Sequence, residues 1–487
     1  MEKKQRVTYL ELEHFSERSL AEDARISIQH AEAFTSQMLR SGIIKPLGAA
    51  PDQADGRIYQ WTFVGIVYCL EVNVWVYPKY MKAESIDRNH FKTALRAIAA
   101  LDGSHSWVEE NLKQPEHDVQ IASGKLVTYL RLIELHAEHG LYGNEQYSVE
   151  LNGEGDIDWA QTIDRSLSIV QPPNVFYLDV YTRKRVIDST NLVRLLHASI
   201  LNRGASVLED SGLADLLGIH FPVLSGPEIE DLGDSETLLH LVEAELRGQY
   251  LTWKRQVLRL MRSLLTAELS EFEMTDPIVF GIRNFHVVWE AACSSFLGND
   301  LNVPLTRLGI HELERGRLGS DTTLASMVPT PTWNIGNEVI ETARRLRPDL
   351  VRLLPINGGG KEKWLLGIFD AKYYVITTET SMSGSWQLRG EPELESVSKQ
   401  FLYRTAYREL LRSRAVETVV NAFLLPGITN QVEHLGHVTY PDVIEILPPP
   451  VANAIDVWLL PVEDVLRSLF EPVAADENLI SILRREG

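Results

Sequence analysis

The apolar run Trp364-Leu365-Leu366-Gly367-Ile368-Phe369 closes on Asp370-Ala371-Lys372, and an apolar strand that ends on two opposite charges narrows what the chain can fold into. Upstream, Arg347-Pro348-Asp349-Leu350-Val351 opens a segment that the spacing predicts to be a strand over residues 349–354. Ile356-Asn357-Gly358-Gly359-Gly360 supplies its turn, because Gly and Asn accept the positive φ that tight hairpins need. Residues 364–374 read as the returning strand. Residues i and i+2 of a strand share a face about 7 Å apart, so Asp370 and Lys372 point one way and Ala371 the other. Such a hairpin brings two carboxylates, Asp349 and Asp370, together across a long stretch of sequence.

These groups suit a divalent metal. Mg²⁺, or Mn²⁺ in its place, takes oxygen ligands in near-octahedral geometry and keeps several waters, so Asp349, Asp370 and a backbone carbonyl at Ala371 suffice to hold it against a phosphate. Lys372 beside them can stabilise the added negative charge of a phosphoryl transition state or help to position and deprotonate the attacking water. The neighbouring carboxylates favour its charged form, hence the electrostatic role, and leave activation of the water to the metal. Taken singly, Pro-Asp is a common strand start and Asp-x-Lys a common solvated pair. Their order within one hairpin favours the metal site.

Pro-Asp, a hairpin and Asp-x-Lys resemble the signature of the PD-(D/E)xK nuclease superfamily. In Asn284-Phe285-His286-Val287-Val288-Trp289-Glu290-Ala291-Ala292-Cys293, apolar residues at helical spacing surround one acid, and the segment is similar to that family's first core helix. The resemblance makes Glu290 its acidic residue, holding metal or water; the plain alternative is an acid paired with an arginine. Lys399-Gln400-Phe401-Leu402-Tyr403, on a helix beginning near Glu391, resembles the glutamine-bearing helix of such sites. Gln400 would then orient water or phosphate, or else be a polar surface residue. The fold implied is α/β (α+β), with a C-terminal mixed sheet flanked by helices.

Further motifs extend the resemblance. Phe63-Val64-Gly65, Tyr77-Pro78-Lys79-Tyr80, Gly155-Asp156-Ile157-Asp158-Trp159 with Thr162-Ile163, and Thr330-Pro331-Thr332-Trp333 are similar to the LlaJI-type restriction proteins, relatives of McrC. Residues 19–47 carry two short helical patterns before strands, which is compatible with a winged-helix module over residues 1–58. Residues 59–226 read as a mixed α/β, partner-docking region with strands at 59–70, 72–77 and 174–186 and helices between 90 and 140. A long helical pattern over 235–269, with Ser235 as N-cap and Gly226-Pro227 before it, makes 227–270 a helical linker. The nuclease part is 271–487.

Composition bounds the rest. The 487 residues allow about three domains. Only Cys69 and Cys293 are present, too few for a disulfide framework and without zinc-ligand spacing, so a reducing cytoplasm is the expected setting. The longest apolar run, residues 61–70, stops at Glu71 and is too short to span a bilayer, so no membrane role is expected. The formal net charge of −20 opposes strong intrinsic binding to double-stranded DNA, although Arg344, Arg345, Arg347, Arg352, Lys361 and Lys363 around the hairpin form a local basic track. No Gly-x4-Gly-Lys-[Ser/Thr] loop occurs; Gly360-Lys361 precedes Glu362. The resemblance therefore implies a separate McrB-like AAA+ GTPase ring as the motor, with the N-terminal part of this chain docking to it; self-association of two copies to cut both DNA strands is left open by the sequence. The activity implied is Mg²⁺-dependent hydrolysis of invading DNA that leaves a 5′-phosphate and a 3′-hydroxyl. The alternatives are a non-cleaving activator or adaptor that stimulates the motor and clamps DNA, and a winged-helix DNA-binding regulator.

Overall fold

The computed structural model describes residues 6–49, 57–81, 87–103, 124–143, 145–188, 191–218, 220–269, 277–308, 322–335, 338–341, 345–358, 361–380, 386–412, 416–440 and 454–483. Helices and sheets are mixed throughout, as the α/β reading requires. The chain divides into two compact units. One unit comprises Met1–Lys4, Val67–Asn73 and Ala122–Val279; the other comprises Gln5–Ile66, Val74–Ile121 and Phe280–Gly487.

The second unit contains a five-stranded sheet built from β1 (Leu350–Gly358), β2 (Lys361–Ala371), β3 (Val416–Gly427), β4 (Glu433–Thr439) and β5 (Ala454–Pro461), in the order β1-β2-β3-β5-β4. The outer pairs β1/β2 and β4/β5 are antiparallel, while β2/β3 and β3/β5 are parallel. Parallel neighbours need a crossover, and a helix over Leu394–Ala406, α2, supplies the one between β2 and β3. An earlier helix, α1 (Phe285–Leu297), is buried along Val287, Val288, Trp289, Ala291 and Ala292, and its Trp289 indole N–H donates to the Leu424 carbonyl of β3 at 3.0 Å. Alternate residues of β2, Leu366 and Ile368, join a core with Val351, Leu353, Tyr403 and Tyr407. Asp370 is the next residue in that alternation.

The hairpin is longer than the sequence suggested. Pairing of β1 with β2 continues through Ile356↔Lys363 and Asn357↔Glu362 to Gly358↔Lys361, so the five-residue turn shrinks towards Gly359 and Gly360, which lie outside the described residues. The returning strand ends at Ala371 rather than running on to Tyr374. Near the N-terminus, two helices, Glu17–Ala24 and Ile28–Arg40, accompany a three-stranded antiparallel sheet of His14–Ser16, Arg57–Trp61 and Ile44–Ala49. The strand expected over 59–70 breaks at Thr62-Phe63 into Arg57–Trp61 and Val64–Cys69.

The other unit is mainly helical, with buried Leu126, Leu132, Leu196, Leu208, Leu258 and Met261. The single helix expected over 235–269 is two, Ser235–Gly248 and Thr252–Leu269. Gly248 weakens the helix end, and Gln249 is extended, its Oε1 accepting from the N–H groups of Tyr250 and Leu251. The N-cap is Asp234 rather than Ser235, because its carboxylate reaches the Thr237 N–H at 2.8 Å. Among the described residues no helix is long and apolar enough to cross a membrane.

Candidate active site

The antiparallel register places Leu350 opposite Phe369, so Asp349 just before β1 falls beside the end of β2. The Ala371 N–H donates to Asp349 Oδ2 at 3.0 Å, and Asp370 is close enough to raise the Asp349 carboxyl. Asp370 is only 4 % exposed. Its Oδ2 lies 3.0 Å from Lys372 Nζ, as two residues on one strand face should be. Three of the groups singled out in the sequence thus meet at one end of the hairpin.

Glu290, on α1, joins them electrostatically. Burial, and after it the charge of Asp370, pushes the Glu290 carboxyl up to about 7, with Lys372 opposing. Among the described residues no arginine pairs with it, so the plain ion-pair reading does not hold. Asp349 is pushed well above the usual carboxylate range, first by burial and then by Asp370 and Glu290, with Lys372 again opposing. For Lys372, burial works against the charged form, but Asp370 and Asp349 outweigh it and raise its pKa. The ammonium is therefore the resident form, as the electrostatic role requires. Like charges gathered out of water in this way are costly unless something binds there.

Gln400 has a different place. It is fully buried, and its Nε2 donates to the Ile368 carbonyl at 3.0 Å, to Asn421 Oδ1 at 2.9 Å and to the Ala422 carbonyl at 3.4 Å. It ties α2 to β2 and β3 two residues before Asp370, while its Oε1 has no partner. That burial excludes the surface-polar reading.

Arg352 also departs from expectation. Its guanidinium donates to Asp300 Oδ1 at 2.7 Å and pairs with Asp476, so it is structural and leaves the basic track. Arg345 and Arg347 are exposed; the side chains of Arg344 and Lys361 lie outside the described residues.

Two supporting residues escaped the sequence reading. Asn299 Nδ2 donates to the Asp349 carbonyl at 3.0 Å, while its Oδ1 accepts from the N–H groups of Leu301 and Val351. It thereby fixes the backbone at Asp349. The signal was Gly298-Asn299-Asp300, a turn composition that says where the chain bends but not what it touches. Tyr403 on α2 also faces the acids: burial and then Asp370 and Asp349 raise its phenol.

Among the described residues no three His, Cys, Asp or Glu side chains form a ready-made metal cage. The donor set is the Asp349 and Asp370 carboxylates and the strand-end carbonyl of Ala371. It fits a hard cation that keeps much of its hydration, as Mg²⁺ does, better than a closed structural site.

A mixed sheet whose first hairpin carries two acids and a lysine, with a third acid on the preceding helix, gathers carboxylates around one lysine at a strand end. The description LlaJI restriction endonuclease matches residues 63–308 and 320–457, and the chain belongs to that family. It is 23% identical over 414 residues to the type II restriction enzyme BsuMI component YdjA of Bacillus subtilis (strain 168), covering 83% of this chain and 80% of that protein. A chain in the structure of Thermococcus gammatolerans McrB AAA+ hexamers with bound McrC is 12% identical, with a TM-score of 0.33 over 99% of this chain and 100% of that one. A chain of the Thermococcus gammatolerans McrBC complex is 11% identical, with a TM-score of 0.26 over 64% of this chain and 89% of that one.

Proposed function

We propose that this chain is the Mg²⁺-dependent DNA endonuclease subunit of an NTP-dependent restriction system acting against phage DNA, and that it cuts when assembled with an AAA+ GTPase. The observation that carries the reading is the meeting of Asp349, Asp370 and Lys372 at the end of one hairpin, with Glu290 in electrostatic reach. Family membership sets the class of chemistry. The motor partner rests on the resemblance to McrC and on the missing phosphate-binding loop in the sequence.

Asp349, Asp370 and the Ala371 carbonyl would hold the ion, with Glu290 beside them. When bound, the ion supplies Lewis-acid polarisation of the phosphate and lowers the pKa of water. The protein's own groups do the rest. Lys372, kept charged by the carboxylates, offsets the negative charge that grows on the phosphate oxygens. Glu290 orients the attacking water. Gln400 acts from inside: by gripping the Ile368 carbonyl it fixes the strand segment that delivers Asp370. In-line attack then leaves a 5′-phosphate and a 3′-hydroxyl, and a second copy of the chain would serve the opposite DNA strand.

Dependence on the motor is tested with plasmid DNA and Mg²⁺, comparing the chain alone with the chain plus a McrB-like AAA+ GTPase and GTP. Cutting only in the complete mixture is expected. Accelerated GTP hydrolysis without any cutting would replace this reading with the activator role.

A further inference from the structure

Outside the acids, Lys79 is held close to the residues that follow Lys372. The strand Val72–Tyr77 runs into Pro78-Lys79-Tyr80, and the Tyr77 carbonyl accepts from the Glu11 N–H at 2.7 Å. The buried Glu11 carboxylate is occupied in turn, since its Oε2 accepts from the Tyr373 hydroxyl at 2.7 Å and from the Lys79 N–H at 3.3 Å. The Lys79 N–H also reaches the Tyr373 hydroxyl oxygen at 3.2 Å. Tyr80 stands edge-on to Tyr373 at 6.2 Å and packs against Phe285, the first residue of α1. The backbone at Lys79 is thereby fixed from two sides.

This fixed backbone aims the side chain. Lys79 Nζ lies 4.5 Å from the centre of the Tyr373 ring and 5.6 Å from that of Tyr374, the two residues that directly follow Lys372. Burial disfavours the charge on this amine and Glu11 favours it, with no carboxylate among the described residues within ion-pair distance. Aromatic faces hold an ammonium in place but leave its charge available to an anion. Tyr374 is also close enough to Lys372 to influence its charge, so both lysines border the same tyrosine. In a chain of net charge −20, a cation held in this position is unlike a solvated surface lysine.

We propose that Lys79 is a further substrate-binding residue of the nuclease centre, holding a DNA phosphate on the side of the site marked by Tyr373 and Tyr374. This rests on the nuclease reading above. It assigns a task to the Tyr-Pro-Lys-Tyr motif of the N-terminal region, which otherwise has none.

The test uses the full chain in the assembly that cuts DNA, comparing wild type, Lys79→Met and Lys79→Arg. Cleavage of plasmid is measured, and binding of a linear duplex is followed across a salt series in the Asp370→Asn background, where the duplex stays intact. Met keeps the aliphatic stem on the tyrosines and drops the charge. Expected are several-fold weaker binding and slower cutting for Met, a salt slope reduced by about one, and recovery of both with Arg. If Met binds with the wild-type slope and cuts at the wild-type rate, Lys79 touches no phosphate. Equal losses for Met and Arg, with a lowered melting temperature, would make Lys79 a packing pin and equally overturn the proposal. Failure of the nuclease reading looks different: wild type would bind duplex and never cut it.

Discussion

Two clusters of charge sit three residues apart around the start of β1, and they are built on opposite plans. At Arg352 the charges are matched: its guanidinium faces Asp300 and Asp476, and the remaining Asp300 oxygen accepts from the Leu353 N–H at 2.9 Å. At Asp349 they are mismatched: Asp349, Asp370 and Glu290 crowd one another with Lys372 as the only cation among them. The first arrangement is what folding alone would select. The second raises the free energy of the fold, and on the proposed function a bound cation and a phosphate would relieve it. A buried polar cluster is thus a sign of function when its partners repel, and of structure when they are matched.

The sharpest way to break that comparison is to neutralise one member of each cluster. Asp370→Asn should lower DNA cleavage by about three orders of magnitude or more, about 4 kcal/mol of barrier, yet leave the melting temperature unchanged or raised. Unfolding of this variant at a lower temperature than wild type would mean that Asp370 is structural. Asp300→Ala should do the reverse. It strands Arg352 and the Leu353 N–H, costing about 3 kcal/mol in urea denaturation, while activity per folded molecule stays close to wild type. A cost under about 1 kcal/mol would show the pairing to be incidental.

Glu290 sharpens the contrast through pH. The fold keeps its proton up to about pH 7, whereas the unfolded chain releases it near the ordinary value of 4.5. Between those values the native state binds more protons, so stability is greatest at the acid end and falls as pH rises through the window, by up to about 3 kcal/mol. Glu290→Gln should flatten that slope in metal-free buffer. The variant would match wild type near pH 4.5 and exceed it above pH 7; parallel pH profiles would show that Glu290 is not under strain.

The smallest effect concerns Gln400. Gln400→Leu leaves the Ile368 carbonyl and Asn421 without their donor, a loss of about 1–2 kcal/mol in denaturation, with a proportionate loss of cutting. Unchanged stability together with abolished cutting would instead put Gln400 in contact with the substrate.

The matched and mismatched clusters also differ in how far they could be read from the sequence. Asp349, Asp370 and Lys372 were legible because strand alternation and a glycine-rich turn fix their geometry locally, and a two-residue period leaves little choice of face. Glu290 followed from helical spacing around a single acid. Arg352 was misread as part of a phosphate track because its partners, Asp300 and Asp476, are brought to it only by the tertiary fold. The same holds for Glu11 and Tyr373, which touch across most of the chain. The helix break at Gln249 was missed because apolar periodicity resumes in phase beyond it, and the two-unit division could not be read at all from consecutive segments. Local pattern locates strands and turns; it does not say which charges will be neutralised.

The central claim is that the mismatched cluster is a nuclease centre. Its most direct test is cleavage of supercoiled plasmid in Mg²⁺ by the assembled protein, wild type against Asp370→Asn at equal folded concentration. Nicked and linear products from wild type, and none from the variant, are predicted. Equal cutting by both, or by neither while GTP hydrolysis is stimulated, would contradict it.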